Sequence, residues 1–101
     1  MIPFSTPKHE FELLNVDASK LKKMRITYSQ DDIVILRKEG DEITIDGNTA
    51  IVHLTQEETA KFTSGRRVEI QGRILMLGGE SYPSNIVSED CDRVLDNEVL
   101  V

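Results

Sequence analysis

The residues of this chain that could carry acid–base or metal chemistry are its two histidines and its one cysteine. His9 and His53 stand in strand-like patterns, and neither shows the spacing of metal ligands or of a catalytic triad. Cys91 lies between Asp90 and Asp92, and neighbouring carboxylates raise a thiol pKa and disfavour a reactive thiolate. We therefore interpret the histidines as surface or strand-edge residues and Cys91 as a partly buried residue without a catalytic role.

Acidic clusters are a second source of candidate chemistry. The aspartates at 31–32 and the acidic stretch 41–46 lack the spaced acids, the glycine and the closing glutamate of a calcium loop, and turn formation explains them. Glu57 and Glu58 could act as paired carboxylates, but the dipole and the cap of a helix also favour acids at its N-terminus. No set of nucleophile, base and orienting group can be assembled. The sequence predicts a protein that is not an enzyme and uses no metal or cofactor.

The elements that must position these residues follow a period of two, which is typical of half-buried strands. Strands are predicted at 9–14, 24–29, 33–38, 43–45, 50–54 and 68–77, and a last strand is predicted within 85–91. The Asp46-Gly47-Asn48 triplet is the strongest hairpin signal, because Gly and Asn tolerate positive φ. About seven short strands separated by turns predict an all-β fold, an immunoglobulin-like antiparallel β-sandwich with one short helical turn.

The helical turn is predicted in the stretch from Leu54 to Phe62. Thr55 can accept a hydrogen bond from the turn while Glu58 reaches back to it, which is a reciprocal capping box. Gly65 is placed to end the excursion. We interpret Thr55, Glu58, Phe62 and Gly65 as structural residues, with Phe62 plugging one end of the sandwich.

The length of 101 residues suits one domain, 1–101, with an extended N-terminal arm at 1–8 and a short C-terminal tail at 96–101. A net charge of −6 disfavours binding to nucleic acid or to anionic lipid. The longest uninterrupted apolar runs, among them 33–36, have four residues, far fewer than the roughly 20 that cross a bilayer. The lone cysteine and a start without a signal-peptide pattern predict that the protein stays in the reducing compartment where it is made.

The apolar ends of the chain are candidates for contact with another protein. An extended arm or a Val-rich tail can add a strand to the exposed sheet edge of a neighbour, whereas the alternative is that both ends pack on their own subunit or fray. The glycine hairpin after the longest strand is a further candidate. The candidate interaction residues are Ile2, Phe4, Gly78, Gly79, Val99, Leu100 and Val101.

Several segments resemble a family of small uncharacterised proteins from phages and prophages of Firmicutes. The similarity is carried by 1–3 with 6–7, by the strand 25–30, by the block 54–62 with 68–71 and Arg73, and by 84–86, 94–95 and 98–100. Gly72 and the acidic stretch 88–92 depart from the pattern of the family. Members of that family are encoded among phage structural genes and have no established activity. The resemblance therefore implies a phage setting, with the protein present in the cytoplasm of the bacterial host and in the assembled virion.

Two functions of different class follow. The first is a non-enzymatic structural or assembly protein of a phage or prophage, whose partner is a second copy of itself or a neighbouring phage structural protein. The alternative is a soluble prophage-encoded binding or accessory module that acts on a host protein or a surface glycan. The identity of the neighbouring genes separates the two.

Overall fold

Eight strands and one short α-helix form the protein in a computed structural model that describes residues 1–84 and 86–101. The strands are β1 Lys8–Glu12, β2 Leu21–Gln30, β3 Ile33–Glu39, β4 Ile43–Asp46, β5 Thr49–His53, β6 Val68–Met76, β7 Ser81–Pro83 and β8 Val87–Glu89. The helix α1 is Gln56–Thr59, and two 3₁₀ turns occupy Ala18–Lys20 and Gly40–Glu42. The predicted all-β class with one short helical turn is confirmed, and the strand that the sequence did not predict is β7.

The strands form two antiparallel sheets. One sheet has the order β1-β5-β4, and the other has the order β3-β2-β6-β7, with β8 pairing a different part of β6. In the lettering of immunoglobulin domains, these orders correspond to B-E-D and C′-C-F-G. The fold is therefore an all-β sandwich, and the strands of its two sheets follow an immunoglobulin-like order from B to G in the described residues.

The core lies between the two sheets and follows from the alternation of side chains along each strand. Ile26 and Tyr28 of β2, Ala50 and Val52 of β5, and Val68 of β6 are wholly buried. Burial of one such Ile or Val side chain contributes about 1.5–3 kcal/mol. Because the buried residues come from both sheets and form one cluster, the same core holds the sheets together.

Two tight hairpins connect neighbouring strands within the sheets. The β2–β3 connection contains only Asp31 and Asp32, with φ of 52° and 63°, and these values fit a type I′ turn. The β4–β5 connection contains Gly47, with φ of 59°, and Asn48. This second hairpin lies where the sequence predicted it, and the aspartates at 31–32 serve as turn residues.

Strand boundaries differ from the prediction at both ends of the chain. β1 ends at Glu12 and not at residue 14, because the chain turns at Asn15, whose φ is 59°. β8 falls within the predicted last strand, but it has only three residues. Asn85, which that prediction included, lies outside the described residues.

Candidate protein interaction surfaces

The histidine of β1 faces the space between the sheets. The Nδ1 atom of His9 is 2.7 Å from the Tyr28 hydroxyl, and its Nε2 atom is 3.7 Å from Glu89 Oε1. Burial lowers the pKa of His9, and the Glu89 carboxylate opposes this by raising it. Burial also raises the pKa of the Tyr28 phenol. His9 thus lies on an outer strand, as expected, but its ring links the two sheets.

Cys91 and His53 are placed very differently. Cys91 is only 3% exposed, and burial raises the pKa of its thiol. Its carbonyl accepts a hydrogen bond of 2.8 Å from the Gly65 amide. Gly65 has a φ of 84°. His53 is exposed on β5. In the described residues, no group of three or more His, Cys, Asp or Glu side chains could hold a metal ion.

The helix α1 begins with the reciprocal cap that the sequence suggested. Thr55 Oγ1 accepts from the Glu58 amide at 3.1 Å, and Glu58 Oε1 accepts from the Thr55 amide at 2.9 Å. Lys38 Nζ on β3 lies 2.6 Å from Glu58 Oε2. Burial acts to raise the pKa of the Glu58 carboxyl, but the bonds from Lys38 and Thr55 lower it below its usual range. Glu58 therefore caps the helix and also ties it to β3.

The aromatic residue after the helix is buried against the core. Phe62 is 4% exposed, and its ring meets the Tyr28 ring edge-on with the centroids 6.1 Å apart. Thr59 is wholly buried, and its hydroxyl donates to the Ser5 carbonyl at 2.8 Å. These two contacts hold α1 between the sandwich and the N-terminal segment.

The N-terminal segment packs on its own chain. The Leu54 amide donates to the Pro7 carbonyl at 3.0 Å, and the Asp92 amide donates to the Met1 carbonyl at 2.7 Å. A turn closes where the Ser5 amide donates to the Ile2 carbonyl. The segment 1–8 is therefore not an arm that is extended throughout, because a turn bends it between Ile2 and Ser5 and the Met1 and Pro7 carbonyls accept hydrogen bonds from its own subunit.

The candidate residues of this segment sit at that turn. Phe4 has a φ of 64°, the positive value that the third position of a type II turn requires, and Pro3 precedes it. Phe4 is half-buried, whereas Ile2 is 46% exposed. Of these two candidate residues, Ile2 therefore offers more surface to another protein than Phe4 does.

The C-terminal tail is attached to α1 by one side chain. The Gln56 amide group donates to the Leu100 carbonyl at 2.8 Å and accepts from the Leu100 amide at 2.9 Å. Leu100 is 78% exposed, Val101 is fully exposed and Val99 is half-buried. The tail thus keeps a defined backbone position while its apolar side chains face solvent.

The glycine hairpin connects β6 to β7. The Met76 amide donates to the Glu80 carbonyl at 2.8 Å, and the three residues between them include Gly78 and Gly79. Gly79 has a φ of 95°, which an L-residue adopts with strain. Leu77, at the tip, is 65% exposed. The hairpin therefore projects an apolar side chain.

A groove lies between this hairpin and the connection from β1 to β2. It encloses about 540 Å³, and we call it the hairpin groove. Leu14 and Tyr82 line it beside Leu77, and they are 71% and 52% exposed. Its polar rim includes Asp17, Lys20 and Glu80. Clustered exposed apolar side chains with a polar rim mark sites of contact with other molecules.

The candidate residues are distributed over separate surfaces. Gly78 lines the hairpin groove, whereas the N-terminal candidates lie at their own turn and the C-terminal ones lie beside α1. The sequence patterns did not single out Leu14, Leu77 and Tyr82, which supply the exposed apolar surface of the groove. The available signal for Leu14 and Leu77 was their position beside turn residues, just after β1 and β6 have ended, whereas Tyr82 lies within the short strand β7.

Comparison with known proteins gives no relative for this chain. No family model, no curated protein and no solved structure matches it. In the described part of the chain, no helix is long and apolar enough to cross a membrane. The fold and the surfaces therefore define the protein by class only: it is an all-β sandwich with exposed apolar surfaces.

Proposed function

We propose that the protein is a non-enzymatic structural or assembly protein of a phage or prophage and that it acts through protein–protein contacts. The observation that carries the contact function is the hairpin groove, where Leu14, Leu77 and Tyr82 expose between 52% and 71% of their surface side by side. Binding of another protein over this apolar surface is favourable, because it removes the surface from water. The phage setting is supported by the resemblance of several segments to the family of phage and prophage proteins.

The titratable residues support a contact function over catalysis. His9 and Tyr28 bond to each other between the sheets, and Glu58 bonds to Lys38 and to the helix cap. Each of these groups is engaged in holding elements of the sandwich together. Cys91 is buried with a raised thiol pKa, which disfavours nucleophilic chemistry.

The phage setting is tested by mass spectrometry of purified particles induced from the host strain. We expect the protein in the particles at a constant ratio to the major structural proteins. Recovery from the soluble fraction alone, bound to a host protein or a surface glycan, would favour the alternative of a prophage-encoded binding or accessory module.

The contact function is tested by analytical ultracentrifugation of the protein mixed with the products of its neighbouring genes. Leu77→Glu places a charge at the tip of the hairpin groove and should weaken association at least about tenfold, because a buried unpaired charge opposes docking. Leu95→Glu is the matched control, since Leu95 is also an exposed leucine, at 90%, and does not line the hairpin groove. Equal association of both variants would show that the groove is not the contact surface.

A further inference from the structure

An uninterrupted apolar run of four residues lies on an outer strand. β3 is the first strand in the order β3-β2-β6-β7, and it contains the run Ile33-Val34-Ile35-Leu36. Ile33 is 63% exposed and Val34 is 42% exposed. An outer strand with exposed apolar side chains is a surface on which another strand can pair.

Two unpaired charges flank this apolar run. Asp32 precedes it and Arg37 follows it, and both are exposed. The neighbouring charges are already engaged, because Asp31 pairs with Arg66 and Lys38 pairs with Glu58. The ion pairs formed within residues 1–84 and 86–101 involve neither Asp32 nor Arg37.

We propose that β3 is the contact surface of a homodimer, in which β3 of a second copy lies antiparallel to it. In this register Asp32 lies opposite Arg37 of the second copy, and the two-fold axis repeats the pair. Ile33 then faces Leu36, and the two-fold axis passes between Val34 and Ile35, where the register shift interrupts the alternation of faces. The charge order along the strand, acidic before the apolar run and basic after it, is complementary to itself only in the antiparallel direction.

The faces of the strand agree with this register, since residues directly opposite each other must share a face of the sheet. Arg37 pairs with Thr27 of β2, and Asp32 lines a depression on the outer face together with Thr27. Both charges therefore belong to the outer face of the sheet.

The apolar pair belongs to the opposite face. Leu36 is registered with Tyr28 and Ile33 with Gln30, and both of these partners are buried. Ile33 and Leu36 therefore lie on the inner side of the strand, and the proposed register brings them together.

An irregularity in β3 favours a second copy over an unrelated strand. The register between β2 and β3 shifts between Tyr28 and Ser29, which leaves Ile35 as the extra residue of a bulge. A bulge protects an outer strand because a regular strand cannot follow it. A second β3 carries the same bulge, and the proposed two-fold axis, which passes between Val34 and Ile35, places the two bulges next to each other at the centre of the contact.

The inference rests on the proposed function, because it assigns one of the proposed protein–protein contacts to a second copy of this chain. It concerns a surface other than the hairpin groove. A β3 dimer therefore leaves the groove as a separate surface for a different partner.

The test is an exchange of charges followed by sedimentation equilibrium. The wild-type protein should dimerise. Arg37→Glu alone and Asp32→Lys alone should each raise the dimer dissociation constant at least about tenfold, because each places like charges opposite each other twice. An equimolar mixture of the two variants should dimerise as tightly as the wild type. In the mixed pair, one contact joins the two new residues and the other joins the original Asp32 and Arg37.

Two further variants keep the test decisive. Lys8→Glu makes the same change of charge on β1, the outer strand of the other sheet, and should leave dimerisation unchanged. Asp32 has a φ of 63°, so Asp32→Lys can disturb the turn. Asp32→Asn tolerates this conformation, removes the charge and should weaken the dimer several-fold.

A monomeric wild-type protein would overturn the proposal, and so would folded variants whose mixture fails to dimerise. The particle measurement stays independent of this result. A monomer that is present in particles contradicts the β3 dimer alone, whereas a dimer that is absent from particles contradicts the phage setting alone.

Discussion

Lys38 on β3 and Glu58 on α1 form a buried ion pair that joins one sheet to the connection leading to the other. The Lys38 side chain is 7% exposed, and its Nζ atom is 2.6 Å from Glu58 Oε2. Glu42 lies 3.5 Å from the same ammonium group. One carboxylate thus neutralises a buried cation and caps a helix, so the position of α1 depends on β3.

Removal of one partner of this pair should destabilise the protein strongly. Glu58→Gln keeps a hydrogen-bonding group for the cap but leaves the exposed Glu42 as the carboxylate nearest the Lys38 ammonium, and it should lower the free energy of unfolding by about 1.5–3 kcal/mol. The double variant Lys38→Met with Glu58→Gln should lose less than the sum of the two single changes. Urea denaturation of the four proteins measures this coupling, and strictly additive losses would show that the pair does not act as a unit.

The stability of the protein should fall as the solution becomes mildly acidic. Burial lowers the pKa of His9 in the folded state below its ordinary value of 6.5, so the unfolded chain binds this proton more readily. The contribution of neutral His9 is therefore complete above pH 6.5 and is lost as the pH falls from there through the lower folded-state pKa.

Denaturation curves between about pH 7.5 and 5.5 measure this dependence. His9→Gln should flatten it, since glutamine can still accept a hydrogen bond but does not titrate. His53→Gln is the matched control, because His53 is exposed. If both variants keep the wild-type slope, His9 is not the titrating group.

Phe62 should be among the most important side chains for stability. Its ring is buried and packs edge-on against Tyr28, so Phe62→Ala should lower the free energy of unfolding by about 3–5 kcal/mol. Phe62→Leu refills most of the volume and should lose much less. A melting temperature unchanged by Phe62→Ala would contradict the packing seen here.

The sandwich could be predicted because its strands and turns leave local patterns, and each pattern involves residues that are close together in the sequence. The alternation through Ile26 and Tyr28 reports which face of β2 is buried, and Gly47 reports a turn. β7 escaped prediction because three residues ending in proline show no alternation. Lys38, like Leu36 two residues before it, lies on the inner face of β3. Its burial was not predicted, because a lysine is normally expected at the surface.

The contacts of the chain ends could not be predicted in the same way. The bond from Asp92 to Met1 joins residues from opposite ends of the sequence, and only the folded sandwich brings them together. The hairpin groove likewise combines Leu14 with Leu77, from two distant connections. Each residue alone is an ordinary exposed leucine, so no pattern marks the surface that they form.

Removal of residues 1–7 should destabilise the fold. It deletes the carbonyl partners of Leu54, Thr59 and Asp92, and two of these residues, Leu54 and Thr59, are no more than 2% exposed. Three lost hydrogen bonds, two of them at buried residues, should together lower the free energy of unfolding by about 2–4 kcal/mol. Urea denaturation measures the loss, and a trimmed protein as stable as the intact one would show that these bonds contribute nothing.

Removal of residues 97–101 should instead leave stability nearly unchanged, within about 0.5 kcal/mol, because the tail is held only by the surface bonds between Gln56 and Leu100. If Val99, Leu100 and Val101 contact a partner, the trimmed protein should remain folded and lose that association. Gln56→Ala is the matched control, since it releases the tail without deleting it. It should weaken association by less than the truncation, because the apolar side chains are still present but must be ordered on binding. Analytical ultracentrifugation with the neighbouring gene products compares the two, and full association of the trimmed protein would exclude the tail from the contact.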